Sequence, residues 1–308
     1  MNRFLTRIKK HIKSMRGAMR VSGFGAVFLI YCTKIPLIKK LVKDSLVKAR
    51  VLGNTMYLKV SDGGLHRRLI LRGIREEEHT RQIRDNIKPE MVGIDLGANV
   101  GYFAVMESTL VGPRGKVYCI EPEPSNVRLL MKNIFANNFE DRAEVFQYLI
   151  GDHNGSEKLY LSEFGNVHSV SAARNKKGSI EVEMITLDKF LEQNELRPED
   201  VDFLRMDIEG YEVMAFQGMQ NLLNSKSPFK IFMEFHPSYY PEWGWTFEKL
   251  LNYLESYGFK IVEIVRDRET DKNGKNTRLN MKNPTIKEVM EMQKNTLADG
   301  CQALLERF

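Results

Sequence analysis

With 308 residues, 43% hydrophobic and 28% charged, the chain can bury a substantial core and is neither a disordered segment nor a small disulfide-stapled domain. Its three cysteines, Cys32, Cys119 and Cys301, are far apart and odd in number, which excludes a disulfide framework or a zinc site and fits a reducing, cytoplasmic compartment. The net charge of +6 hides an asymmetry: residues 1–50 hold 13 Lys or Arg against Asp44 alone, a net of +12, so the rest is mildly acidic.

The basic arm comes first in the chain. On a helical wheel of about 100° per residue, Phe4, Leu5, Ile8, Ile12, Met15 and Met19 fall within roughly 100° of arc, and every Lys and Arg from residue 3 to 20 lies outside it. An amphipathic basic helix is expected, suited to an anionic membrane surface or to packing on the body; nucleic acid is not the expected partner. The following run, Val21–Cys32, is too short to cross a bilayer and lacks a signal-peptide cleavage site. Residues 1–50 therefore read as an uncleaved helical arm, with a peripheral position on the inner membrane face as one expected location.

Strand-like pieces at Asn54–Asp62 and Arg67–Gly73 and a helix over Glu76–Asn86 lead into "GIDLGANVGYF", Gly93–Phe103. Apolar residues before Asp95 and after Gly101 place a strand, a tight turn and a helix in succession, and the glycines let a ligand lie against bare backbone at the helix start. The dinucleotide pattern G-x-G-x-x-G is short of one glycine here, and Asp95 stands at the entrance. A carboxylate repels a pyrophosphate and attracts an ammonium group, which S-adenosylmethionine carries. The strand Lys116–Pro122 ends in Glu121, about 20 residues past the loop, where an acid can accept from both ribose hydroxyls of an adenosine. The cofactor contacts expected are Asp95, Gly97, Ala98, Asn99, Gly101 and Tyr102 from the loop, Glu121 and Pro122, and Asp152 at an adenine edge.

Beyond Glu121 the spacing predicts a helix over Ser125–Asn137, a strand over Glu144–Ile150 and an antiparallel insertion over residues 157–187. Then come a helix at Asp188–Gln193, a strand at Val201–Met206, a helix at Tyr211–Leu223, a strand at Lys230–Phe235, a helix from Thr246 to Tyr257 and the strand "KIVEIV". Thr285–Phe308 reads as helical, with Thr285 and Glu288 spaced as a capping box. Strands alternating with helices predict a mostly parallel sheet covered on both faces.

In such sheets the reacting groups gather just past the strand ends. Those positions hold Asp207 and Glu209 in "DIEGYE" and His236 after "IFMEF". Asp207 or His236 is expected to accept a proton, and Glu209 to orient an acceptor. Next, "PSYYPEWGW" gathers Tyr239, Tyr240, Trp243 and Trp245, aromatic faces suited to a sugar ring or a lipid-linked acceptor. No metal ligand set is expected.

The combination of "GIDLGANVGYF", "CIEPEP", "FLRMDIEGYEVMAFQGM" and "FMEFHP" resembles the FkbM-type S-adenosylmethionine-dependent methyltransferases over roughly residues 70–265. The resemblance implies an α/β, Rossmann-like class I methyltransferase fold and methyl transfer to a hydroxyl oxygen, often on a sugar, glycolipid or related natural product. It assigns Asp95, Gly97, Asn99, Gly101 and Glu121 to the cofactor. Usual members have Lys where Arg205 stands and often Ala at Tyr211. The expected organisation is an arm at 1–50, a methyltransferase domain at 51–270 and a helical extension at 271–308. The competing readings are a nicotinamide-dependent oxidoreductase and a non-catalytic, membrane-associated adaptor.

Overall fold

The computed structural model describes residues 2–42, 44–162, 168–170, 176–270, 276–295 and 300–308. It begins with a long helix, α1 (Asn2–Cys32), kinked at Gly23 where φ is +79°, and a short α2 (Pro36–Leu41). A hairpin of β1 (Leu46–Val51) and β2 (Asn54–Lys59) precedes α3 (Gly64–Arg72) and α4 (Glu77–Asn86). The body then alternates through β3 (Val92–Leu96), α5 (Tyr102–Val111), β4 (Lys116–Ile120), α6 (Pro124–Phe135) and β5 (Ala143–Phe146). Three strands, β6 (Leu149–Ile150), β7 (Gly155–Ser162) and β8 (Lys176–Ile185), form a separate small sheet. After α7 (Leu187–Gln193) come β9 (Phe203–Met206), α8 (Glu212–Gln217), α9 (Gln220–Asn224), β10 (Phe229–Phe235) and α10 (Phe247–Ser256). β11 (Lys260–Thr270), β12 (Asn276–Lys282), α11 (Ile286–Asn295) and β13 (Cys301–Arg307) complete the order.

The main sheet runs β12-β11-β13-β10-β9-β3-β4-β5. The five strands from β10 to β5 are parallel, and β13 enters antiparallel between β10 and β11. The chain lays β4 and β5 to one side of β3, then crosses to put β9 on the other. The crevice past the ends of β3 and β9 is therefore the topological switch point, where ligands of open α/β sheets bind. Fully buried side chains cover both faces of the sheet: Leu204, Met206, Phe216, Ile231 and Leu250 on one, Val105, Val117, Leu130, Phe203 and Phe232 on the other. Each contributes roughly 1.5–3 kcal/mol by leaving water. Thr246 caps α10 by accepting from the Lys249 amide, and the Thr285/Glu288 pair forms its reciprocal cap before α11.

Several sequence expectations are corrected. Residues 67–72 are helix, not strand: Leu65, Leu69 and Ile70 are buried at helical spacing under the hairpin. The stretch 144–150 splits, with β5 in the main sheet and β6 in the small one. The extension 271–308 is not simply helical, because β12 and β13 flank α11 and β13 is an interior strand with all seven residues buried. Within the first 50 residues, the end of α1 shows the packing on the body that was one of its two expected roles. β1 starts at Leu46, and Ala26, Val27 and Ile30 of α1 are buried in one cluster with Ala49, Leu69 and Ile70. Most of the expected amphipathic face, on residues 2–14, lies outside the side chains described.

Candidate active site

The turn after β3 is built for close approach. Gly97 has φ +77°, and a β-carbon there would lie 2.1 Å from the Asp207 carbonyl oxygen, so the loop after β3 and the loop after β9 touch backbone to backbone. The Gly97 and Ala98 amides both donate to the Ile120 carbonyl, tying this turn to the end of β4. Asn99 takes a left-handed φ of +53°, and its amide donates to Glu121 Oε2 at 2.9 Å.

Glu121 also accepts from the Glu123 amide at 3.0 Å and from Asn126 Nδ2 at 3.2 Å. No cation among the described residues pairs with it, and burial pushes its carboxyl up to about 7 despite those three donors. It lines a cleft together with Gly97, Asn99, Pro122, Asp207 and Glu209. Tyr148, Leu149 and Ile150 form an apolar wall, and His168 and Ser169 close it from the small sheet. Tyr102 lies in an adjoining recess with Ala98 and Arg75, its hydroxyl donating to the Arg75 carbonyl at 3.0 Å.

Asp95 does not line the cleft. The parallel register sets it directly opposite Arg205, and the two side chains share a face of the sheet. Arg205 Nη1 donates to Asp95 Oδ1 at 3.0 Å and to the Gly97 carbonyl at 3.1 Å, while Nη2 donates to Asp207 Oδ2 at 2.9 Å. The guanidinium lies 4.3 Å over the Phe103 ring. Burial disfavours its charge, but Asp95, Asp207 and Glu107 raise its pKa further still. Asp207 falls below its ordinary value although burial opposes this, because Arg205 and His236 favour the carboxylate. Glu107, fully buried with neither oxygen hydrogen-bonded, is pushed well up by burial and by Asp95. Asp95 thus holds Arg205, and Arg205 bridges the loops after β3 and β9.

Past β9, Glu209 adopts a left-handed φ of +54°, and Gly210 at φ +97° packs against the Tyr239 ring, leaving no room for a side chain. Burial, the largest cause, pushes the Glu209 carboxyl up to about 8 even though His236 pulls it down. His236 lies at the end of β10 with Nδ1 2.9 Å from Oε1 of fully buried Glu212 and Nε2 3.7 Å from Glu209 and 3.8 Å from Glu234. Burial disfavours the imidazolium, but these carboxylates raise the pKa well above the usual histidine value. His236 thus stands at the end of β10 among three carboxylates, beside Glu209. Asp207, Glu209 and His236 place ligating atoms within 4.8 Å of one another, the set among the described residues that resembles a metal site.

Two further groups of residues lie as follows. Asp152 is not among the cleft residues and pairs with His153 at 2.9 Å. The aromatic loop packs inward instead of facing the cleft: Tyr239, Tyr240 and Trp245 are buried, and Trp243 donates to the Gly210 carbonyl at 3.1 Å and meets Tyr211 edge-on. Sequence reading passed over Arg205 as a clamp and Glu212 as the partner of His236. A lone cation inside the apolar strand "FLRM" was the available signal for the first.

The family model for the methyltransferase FkbM domain matches residues 95–261. The chain belongs to the FkbM methyltransferase family. The family's methyl donor is S-adenosylmethionine, and membership sets aside the nicotinamide reading. A hexuronic acid methyltransferase, AglP of Haloferax volcanii, is 27% identical over 161 residues; the match covers 50% of this chain and 60% of that protein. Among solved structures, M. jannaschii TYW2 in complex with AdoMet aligns with a TM-score of 0.44 at 16% identity, covering 86% of this chain and 88% of that one. A precorrin-6y C5,15-methyltransferase from Geobacter metallireducens aligns with a TM-score of 0.41 at 10% identity, covering 76% and 89%. With its β5-β4-β3-β9-β10 parallel core and antiparallel β13, the domain has the Rossmann-like class I arrangement.

Proposed function

We propose that the protein transfers the methyl group of S-adenosylmethionine to a hydroxyl oxygen of a sugar-class acceptor, a uronic-acid-bearing or lipid-linked glycan being the class best supported. The observation that carries this reading is one cleft lined at one end by Gly97, Asn99 and Glu121 and at the other by Asp207 and Glu209. The hexuronic acid relative supports the acceptor class.

The residues fit the donor. Glu121 points a hydrogen-bonding carboxylate into the cleft where ribose hydroxyls can donate, and bare Gly97 admits the methionine half at the switch point. The donor supplies an electrophilic methyl on a sulfonium. The protein's part is position, and holding two reactants in register is worth ~7–11 kcal/mol. Glu209 takes the hydroxyl proton as the oxygen–methyl bond forms and the carbon–sulfur bond breaks. A base adds about 10²–10⁴-fold. His236 and Arg205 hold positive charge against the carboxylates around it.

Calorimetry with S-adenosylmethionine, followed by transfer of labelled methyl to a panel of uronic-acid glycans, tests the reading. Expected are saturable heat and an alkali-stable methyl ether. An alkali-labile product would mean methylation of the uronate carboxylate, and heat with no transfer to any sugar would end the acceptor assignment.

A further inference from the structure

The structure assigns a membrane-docking face to α1, α2 and the groove beside them. Helix α1 is two-sided after Gly23. One side, with Ala26, Val27 and Ile30, is buried in the protein's own core, yet the other exposes Phe24 at 67% and Phe28 at 59%, their rings stacked 6.2 Å apart. Helix α2 continues the surface with Leu37 at 68% and Leu41 at 76% exposure, and Ile35 precedes it. Of the nine large hydrophobic side chains exposed among the described residues, these are five, all within 18 residues of chain. Such a helix, apolar on the side its own protein leaves open, calls for a cover.

The charge around it selects the cover. Lys34 and Lys40 are exposed on the same segment. After α2, Lys59, Arg128 and Lys132 line an open groove with Leu46, Ser125, Leu129 and one acid, Asp44. α6, which supplies Arg128 and Lys132, exposes Met131 and Phe135 as well. Phenylalanine and leucine side chains ringed by cations match the boundary between acyl chains and anionic headgroups. No helix among the described residues is long and apolar enough to span a bilayer, so the face lies on the membrane and does not cross it. The arm rests on α3, whose Leu65 lines the recess beside the cleft, which brings a membrane-held acceptor toward Glu209. That last link rests on the proposed function; the docking face does not.

Flotation of the full chain with vesicles tests the inference, comparing neutral phosphatidylcholine with mixtures containing phosphatidylglycerol. Wild type is expected to float with anionic vesicles at low salt and to be released as salt rises. Phe24→Asp with Phe28→Asp, on the exposed side only, should weaken recovery at least tenfold, and Arg128→Ala with Lys132→Ala should weaken it on anionic vesicles alone. Unchanged melting and unchanged heat with S-adenosylmethionine show that the variants remain folded and donor-competent. Equal flotation of wild type and the Phe24/Phe28 variant would overturn the proposal. So would absence of flotation together with a dimer that the same substitutions dissolve, since the cover would then be a second copy. Loss of flotation with methyl transfer intact on a water-soluble glycan would separate this result from any failure of the enzymatic reading.

Discussion

Asp95 and Glu121 stand at the ends of neighbouring strands, are almost completely buried, and carry the same functional group. One faces a guanidinium and stays out of the cleft; the other faces three N–H donors and lines it. The difference shows that a buried carboxylate is free for ligand work when no cation has claimed it. Asp207, paired with Arg205, belongs with Asp95 in this respect, and Glu209, 3.7 Å from His236, lies between the two cases. Breaking the compensated pair should damage the fold, whereas altering an uncompensated carboxylate should damage function.

The largest effect is expected for Arg205→Met. Removing the cation leaves Asp95 and Asp207 buried without a partner, a loss of about 3–5 kcal/mol. The melting temperature should fall by on the order of 10 °C, read by calorimetry. If Arg205→Met melts like wild type, the clamp is not structural. Next comes Glu209→Gln, expected to slow methyl transfer by about 10²–10⁴-fold with little change in donor affinity. In wild type the rate should climb with pH up to about 8, where Glu209 becomes ionised, and then level off.

Glu121→Gln should weaken donor binding by roughly tenfold, since an amide replaces a charge-assisted acceptor. The sign of its pH dependence follows from the raised pKa. Below about 7 the folded protein holds a proton on Glu121, so wild-type affinity should weaken as pH falls from 7 and level off near that of the variant. The variant's affinity should be flat over that interval. Unfolding carries the opposite trend: between 4.5 and about 7 the unfolded chain has released this proton while the folded chain keeps it, so stability falls as pH rises, and Glu121→Gln removes that slope. The smallest effect is expected at Asp152→Ala, where titration calorimetry should give a dissociation constant within twofold of wild type.

The sequence showed the glycine turn, the carboxylate after β4 and the acidic loop after β9, because each depends on local chemistry within a dozen residues. What it hid depends on register across long separations. Asp95 and Arg205 are 110 residues apart, and only the alignment of β3 with β9 places them side by side. The same holds for Glu212 and His236, 24 residues apart and joined by the return of β10. At 67–72, an arginine-rich run with alternating apolar residues reads equally as strand or helix over so short a span, and packing beneath the hairpin decided it. The aromatic loop misled for a related reason: tyrosine and tryptophan serve a buried corner as well as they serve a binding surface.

β13 comes after β11 and β12 in the chain but lies between β10 and β11 in the sheet. During synthesis, the edge of β10 that β13 covers in the finished sheet lacks that partner until residues 301–307 leave the ribosome. A nascent chain halted before Cys301 therefore carries a half-zipped sheet, and chaperones that shield such edges are expected to stay bound until the last strand slots home.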